Sequence, residues 1–130
     1  MEFSVIVHGA PFSSQSALSA HRFATAALTH GHSIRRVFFY HDGVRAADAA
    51  VVVPQEDTSV RDRWVALHQE HNVELAVCIA AALKRGVLDE VESDRYQIPA
   101  ATIHPAFTLV GLGQLIEASA SADRVITFGA

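Results

Sequence analysis

The chain is poor in cysteine, in proline and in charge, and each shortage excludes a class of protein. Cys78 is the only cysteine among 130 residues, so an internal disulfide and a thiolate-rich metal site are both excluded. The 4 prolines and 7 glycines are too few for a collagen-like or low-complexity chain. Charged residues make up 18% of the chain and the formal net charge is −4, so direct binding of RNA or DNA is not expected.

Long apolar runs are also missing from the sequence. No run approaches the roughly 20 apolar residues that a membrane-spanning helix needs, so no membrane association is expected. The opening residues 1–8 are typical of a first β-strand and not of a secretory leader. These features favour a cytosolic protein, in which a single thiol stays reduced.

Half of the residues are apolar, and their order along the chain alternates between strand and helix patterns. The length suits one globular domain with one core, residues 1–130. Short apolar runs rich in β-branched or aromatic residues predict five strands. These runs are Phe3–His8, Ser33–Tyr40, Val73–Ile79, Phe107–Val110 and Arg124–Phe128.

Helical spacing of apolar residues, bounded by capping residues, fills the intervals between the strands. Ser13 or Ser14 can cap a first helix that Gly31 ends, and Ser59 with Asp62 can cap a second that Asn72 ends. Charged residues 89–96 predict a short surface helix, and residues 111–118 a last one. Strands separated by helices predict an α/β fold with a mostly parallel sheet of about five strands, covered on both faces.

Cys78 is predicted to lie at the end of the third strand, directly before a helix-forming stretch of residues 80–86. In open α/β sheets, ligands bind in the crevice outside the carboxyl ends of the strands. The amides at the start of a helix favour a thiolate, and Lys84 or Arg85 could add positive potential. Cys78 is therefore a candidate nucleophile or sulfur carrier. A small buried packing residue is the alternative, which the pattern by itself leaves open.

Three other patterns carry less chemical information. The pairs His30 with His32 and His68 with His71 lack a clear carboxylate partner, so solvated or interface histidines are favoured over a metal site. Residues 9–11 lack the glycines and lysine of a phosphate loop, and residues 111–113 favour close helix–sheet packing over a dinucleotide site. The acidic residues within 89–94 are most simply a solvated face.

The apolar segment Ala49–Pro54 stands in a loop-like context and has two interpretations. It can be a short buried strand. It can also be a contact surface for another subunit, because exposed apolar patches usually mark partners.

Four stretches of the chain, taken in order, form one pattern. They are Val37–Val44, Cys78–Glu90, Phe107–Leu115 and Ala122–Phe128. Individually they are weak signals, but together they cover nearly the whole chain with the cysteine in place. The ordered set resembles the DsrE/TusD subunits of intracellular sulfur-relay complexes.

The resemblance implies a single DsrE/TusD-like domain, residues 1–130, with a three-layer α/β/α fold. It implies that Cys78 carries sulfur as a persulfide, with no cofactor and no metal. It also implies a heterohexamer with two smaller paralogous subunits, an upstream sulfur donor (a cysteine desulfurase acting through a small carrier) and a downstream sulfur-acceptor protein.

Two branches of the family differ in the fate of the sulfur. One leads to 2-thiolation of the tRNA wobble uridine, which we favour because it is the commoner branch across bacteria. The other serves dissimilatory sulfur oxidation, and His41-Asp42-Gly43 and Ile103-His104-Pro105 resemble that branch more closely. A non-catalytic structural subunit and a small-molecule-binding domain that uses the crevice near Gly9 and Cys78 are the competing hypotheses.

Overall fold

The computed structural model describes residues 1–57 and 59–129. Their strands form one sheet in the order β4-β3-β2-β1-β5, and every neighbouring pair is parallel. The strands are β1 (Glu2–Val7), β2 (Ser33–Phe39), β3 (Glu74–Cys78), β4 (Phe107–Val110) and β5 (Arg124–Phe128). The predicted parallel sheet of five strands is confirmed.

Helices occupy the connections between the strands, as the alternating pattern predicts. They are α1 (Ser16–Thr29), a 3-10 helix (His41–Ala47), α2 (Val60–His71), α3 (Ile79–Leu83), α4 (Glu90–Arg95) and α5 (Leu112–Ser121). Among the residues that the structure describes, no helix combines the length and the apolar character needed to cross a bilayer.

Side chains alternate between the two faces of the sheet, and each face has its own helical cover. On one face, Phe39 meets Trp64 of α2 edge to face at 5.4 Å, and Phe3 meets Phe23 of α1 at 5.2 Å. On the other face, Ser4 Oγ donates to the Ala118 carbonyl of α5 at 3.0 Å. The fold is therefore a three-layer α/β/α sandwich.

Local signals fix most helix ends where the sequence predicts them. The Ser59 hydroxyl accepts a hydrogen bond from the Asp62 amide at 3.2 Å, and Asn72 ends α2 in the left-handed conformation. At α1 the N-cap is Gln15, while the Ser14 hydroxyl accepts from the Ser16 amide at 3.1 Å. The predicted caps of α2 are confirmed, and Ser14 supports the first turn of α1 from one residue further out.

Arg35 and Arg36 of β2 tie α5 to the sheet. Arg36 is buried, and its guanidinium donates to Glu74 at 2.7 Å, to Glu117 at 3.1 Å and to the Gln114 carbonyl at 2.7 Å. Arg35 pairs with Glu117 and lies 3.7 Å from Glu2. The adjacent arginines are thus used within the fold and do not form a basic surface.

Two expectations about local environment are wrong. Glu92 of the acidic stretch is only 4% exposed, because α4 turns it inward, so that stretch is not a uniformly solvated face. A Cβ placed on Gly111 or Gly113 would meet nothing within 4 Å, so close helix–sheet packing does not require glycine at these two positions.

The path of the chain through the sheet defines where a ligand crevice can form. From β1 the chain moves outward through β2 and β3 to β4, then returns to the other side of β1 to form β5. Because α1 and α5 cover opposite faces, the topological switch point lies between β1 and β5, at their carboxyl ends.

Candidate active site at the carboxyl edge of the sheet

Cys78 is the last residue of β3 and the N-cap residue of α3, as predicted. Its partner in the β3–β4 ladder is Val110, and its backbone is extended (φ −60°, ψ 118°). The residue is 2% exposed, so its thiol is buried in this conformation. A reaction at Cys78 therefore requires a local movement of the segments around it.

The helix that follows Cys78 is shorter than the sequence suggests. The structure gives α3 only five residues, Ile79–Leu83, and a turn follows it. A helix of this length has a weak dipole, because few peptide units align. Arg85 does not face the thiol as a free cation: its Nε donates to Asp42 Oδ1 at 2.7 Å and its Nη1 to the Ala81 carbonyl at 3.0 Å.

The 3-10 helix after β2 packs closely on the end of β1. The Gly43 amide donates to the His8 carbonyl at 3.0 Å and to the Tyr40 carbonyl at 2.9 Å. A Cβ at Gly43 would lie 2.3 Å from the Val7 carbonyl oxygen, so this approach requires glycine. The Asp42–Arg85 ion pair joins the same 3-10 helix to the turn beyond α3.

Tyr40 continues β2 by one residue and extends the row of side chains at the carboxyl edge. Phe39 pairs with Val77 in the β2–β3 ladder, and the backbone of Tyr40 remains extended (φ −131°, ψ 163°). The β2–β3 register, carried one residue past its last pair, sets Tyr40 opposite Cys78. By alternation Tyr40 shares a face with Phe38, as the 6.1 Å separation of their rings shows, and Cys78 shares that face with Ala76.

Two imidazoles complete this edge. The ring of His41 lies 4.2 Å from that of Tyr40 and 4.9 Å from that of His8. Burial, followed by the charge of the neighbouring His41, lowers the pKa of His8 below its ordinary value. The edge therefore combines one thiol, one phenol and two imidazoles on neighbouring parallel strands.

Sequence reasoning did not assign His8, Tyr40 or His41 a chemical role at the site. The signal that could have found them is position, since His8 and Tyr40 end predicted strands and His41 follows directly on Tyr40. In a parallel sheet these ends meet at one edge, so polar residues at that position converge from distant parts of the chain.

Three of the four histidines in the candidate metal pairs bond to backbone carbonyls or to the N-terminal amine, and the fourth, His71, has its Nε2 4.0 Å from Glu70 Oε2. His30 Nδ1 lies 2.8 Å from the Ala26 carbonyl, and His68 Nδ1 lies 2.8 Å from the Val73 carbonyl. His32 Nδ1 lies 3.0 Å from the N-terminal amine. Within the described part of the chain, no group of three or more His, Cys, Asp or Glu side chains is placed to hold a metal ion.

The segment Ala49–Pro54 is not a buried strand. It has no regular structure, and the Val52 side chain is 90% exposed. Arg61 Nη1 holds its start in place by donating to the Asp48 and Val51 carbonyls, each at 2.9 Å. The segment is an ordered apolar loop at the surface, which leaves the interface interpretation as the one to test.

The structure defines a parallel α/β/α domain with its single thiol at the carboxyl edge of the sheet. Residues 1–128 match the DsrE/DsrF-like family, and the chain belongs to that family.

Curated relatives match over the full length. The chain is 44% identical over 129 residues to the putative sulfurtransferase DsrE of Allochromatium vinosum, with 99% of each chain covered. It is 42% identical over 128 residues to the sulfurtransferase TusD of Salmonella newport, covering 98% of this chain and 100% of that protein. With these relatives it is classed among the sulfurtransferases.

The fold also matches a solved structure. The crystal structure of the ychN protein from E. coli superposes with a TM-score of 0.76 at 25% identity, covering 98% of this chain and 100% of that one. The three-layer architecture is thus shared with a known protein along the entire chain.

Proposed function

We propose that this chain is a sulfurtransferase subunit that carries sulfur as a persulfide on Cys78 and passes it to an acceptor protein. The observation that carries the proposal is the position of the only cysteine at the carboxyl end of β3, beside Tyr40. This is the edge at which α/β sheets perform their chemistry. Membership of a family with named sulfurtransferases supports the same activity.

The transfer consists of two balanced exchanges. The Cys78 thiolate attacks the sulfane sulfur of a donor persulfide, a new S–S bond forms, and the donor leaves as its thiolate. An acceptor thiolate then attacks the terminal sulfur, and the Cys78 thiolate leaves. No oxidant or reductant is consumed. A second cysteine nearby would expel the sulfur as sulfide and form a disulfide, and the chain has none.

Access to Cys78 is part of the proposed mechanism, because the residue is buried in the structure. The 3-10 helix and the start of α3 flank the strand end, and Asp42 and Arg85 join these two segments at the surface. Binding of a donor or acceptor protein is proposed to separate them and expose the thiol. The closed state would then protect the bound sulfur from water and from small thiols.

The proposed setting is a cytosolic relay complex with two smaller paralogous subunits, two copies of each chain forming a heterohexamer. An upstream carrier delivers sulfur and a downstream acceptor removes it. The exposed apolar loop Ala49–Pro54 is the proposed subunit contact, because its consecutive apolar residues are all half-buried or exposed, and contiguous exposed apolar surface usually marks a partner site.

For the pathway we propose 2-thiolation of the tRNA wobble uridine, as the similarity to TusD suggests. The similar identity to a DsrE protein favours sulfur oxidation as the second candidate. Expression of the chain with its paralogues in a bacterium that lacks its own TusD separates the two. Return of 2-thiouridine, measured by mass spectrometry of digested tRNA, supports thiolation, and its absence from a strain that makes the intact complex contradicts it.

A structural, non-catalytic role is the remaining alternative, and the burial of Cys78 favours it. The deciding experiment is to incubate the protein, alone and with its paralogues, with a persulfide donor and to measure the intact mass. Wild type should gain about 32 Da, the mass of one sulfur atom, for each sulfur transferred. Cys78→Ala should show no such gain. Equal gain in both proteins, or no gain in either, would assign Cys78 to packing.

A further inference from the structure

A recess opens at the switch point between β1 and β5, and Cys78 is not among the residues that line it. Its volume is about 430 Å³, within the range of small-molecule sites. Its walls come from β1, the end of β2, α5 and β5. They are formed by Ile6, His8, Tyr40, His41, Leu112, Leu115, Ile116 and Thr127.

The recess has an apolar side and a polar side. Leu112, Leu115 and Ile116 of α5 form the apolar side, and Ile116 is 69% exposed although it is a large aliphatic residue. The rings of His8 and His41 form the polar side, 4.9 Å apart and edge to face. A ligand that suits both sides has an apolar body and a polar head.

The groups around the polar head of such a ligand favour a negative charge on it. Burial lowers the pKa of His8 most, and His41 lowers it further because two imidazolium charges at this separation repel each other. A negative charge between the rings would relieve this repulsion. Asp42, the carboxylate next to His41, is engaged by Arg85 at 2.7 Å, so it does not supply that charge to the recess.

The start of α5 acts in the same direction. Its N-cap residue, Gly111, supplies no side-chain hydrogen bond, and Leu112 at the first helical position lines the recess. Uncapped amides at a helix start carry positive potential. This positive potential adds to that of the two histidines. Without the histidines it would not define a site.

We propose that this recess binds a small organic anion, an aromatic or aliphatic body with one sulfonate or carboxylate head, with His8 and His41 at the head and α5 along the body. This function goes beyond sulfur carriage on Cys78. It requires no reaction at the thiol, so it stands or falls independently of the persulfide relay.

The probe is naphthalene-1-sulfonate, and its neutral match is naphthalene-1-sulfonamide. The labelled full chain is titrated with each compound and followed by NMR at the methyl groups of Ile6 and Thr127 and the ring protons of His8. We expect a Kd on the order of 1 mM for the sulfonate, as is normal for a ligand of this size, and binding about tenfold weaker for the sulfonamide.

Two matched glutamate variants and one histidine variant locate the site. Ile116→Glu places a carboxylate on the rim of the recess and should weaken sulfonate binding about tenfold or more. Ile98→Glu makes the same change in a second apolar groove, of about 480 Å³, which also contains Lys84, and should have no effect. His8→Gln, which keeps a polar side chain, should weaken binding about threefold to tenfold.

Three results would overturn the proposal. The first is equal affinity for the sulfonate and the sulfonamide. The second is unchanged affinity in Ile116→Glu, with the heteronuclear spectrum showing that the variant is folded. The third is a set of shifts confined to the groove around Ile98. A loss of persulfide loading by Cys78→Ala has no bearing on any of these measurements.

Discussion

Asp42 and Arg85 form an ion pair across the candidate site, with Arg85 Nε donating to Asp42 Oδ1 at 2.7 Å. Asp42 belongs to the 3-10 helix after β2, and Arg85 follows α3, which begins at Cys78. The pair thus connects the two segments whose separation is proposed to expose the thiol. Its strength should influence how often the site opens.

Removal of this ion pair should increase the reactivity of the thiol. In Asp42→Asn we expect alkylation of Cys78 by iodoacetamide to be roughly twofold to fivefold faster at neutral pH, because an exposed pair contributes only modestly. The single cysteine makes the rate unambiguous. Asp62→Asn, which removes the exposed Arg61–Asp62 pair, is the control and should keep the wild-type rate. Equal rates in all three proteins would mean that the pair does not restrain the site.

The Arg35–Glu117 pair should make stability depend on pH in the acid range. The hydrogen bond from Arg35 lowers the pKa of Glu117 below its ordinary value. A carboxyl whose pKa is depressed by folding stabilises the fold above its unfolded pKa. That contribution is lost as the pH falls through the folded value.

The corresponding measurement is the urea midpoint of wild type and Glu117→Gln between pH 7 and pH 3. The urea midpoint of wild type should exceed that of Glu117→Gln by a constant amount from pH 7 to about pH 5, and this difference should shrink below about pH 4. In an Arg35→Met background the dependence on pH should be much weaker, because Arg35 is the largest cause of the shift. An equal difference between the two urea midpoints at pH 3 and pH 7 would contradict this account.

The burial of Cys78 makes the choice of substitution important. In Cys78→Ser a hydroxyl replaces the thiol in an apolar environment, so we expect a loss of about 1–3 kcal/mol in the free energy of unfolding. In Cys78→Ala no polar atom is buried, and the loss should be smaller, about 1 kcal/mol. Chemical denaturation of the three proteins tests the order. A serine variant as stable as wild type would show that water reaches the site.

Glycine at position 43 should be required by the packing of the site. A methyl group there would meet the Val7 carbonyl oxygen, so Gly43→Ala should lower the free energy of unfolding by about 1–3 kcal/mol. Gly113→Ala, in α5 with open space around it, should raise that free energy by up to about 1 kcal/mol. If both variants had the same stability as wild type, the close approach at Gly43 would carry no energetic weight.

The exposed loop should matter to assembly and not to the fold. Val52→Asp should weaken association with the paralogous subunits, because a charge at the apolar centre of an interface is left without water. Light scattering on the co-expressed complex measures the assembled mass. Val91→Asp places the same charge on another exposed valine and should assemble normally. Full assembly of Val52→Asp at wild-type affinity would locate the interface elsewhere.

The sequence by itself determined the elements and their order. The strand runs, the Ser59 cap, the Asn72 stop and the strand-end position of Cys78 are local, because each depends on residues within a few positions of one another. Five apolar strands separated by helices also predict a parallel sheet, since short crossovers allow few other arrangements. The resemblance of four ordered stretches to the DsrE/TusD subunits then predicted the family that the comparisons show.

Tertiary structure alone decided what surrounds the thiol. The pairing of β2 with β3 brings Tyr40 to Cys78, the pairing of β1 with β2 brings His8 to His41, and the packing of the 3-10 helix brings Asp42 to Arg85. Each contact joins residues that are far apart in the chain, so no local pattern encodes it. The burial of Cys78 has the same origin: strand-end position is a local property, whereas exposure depends on the segments that the whole fold packs around that strand end.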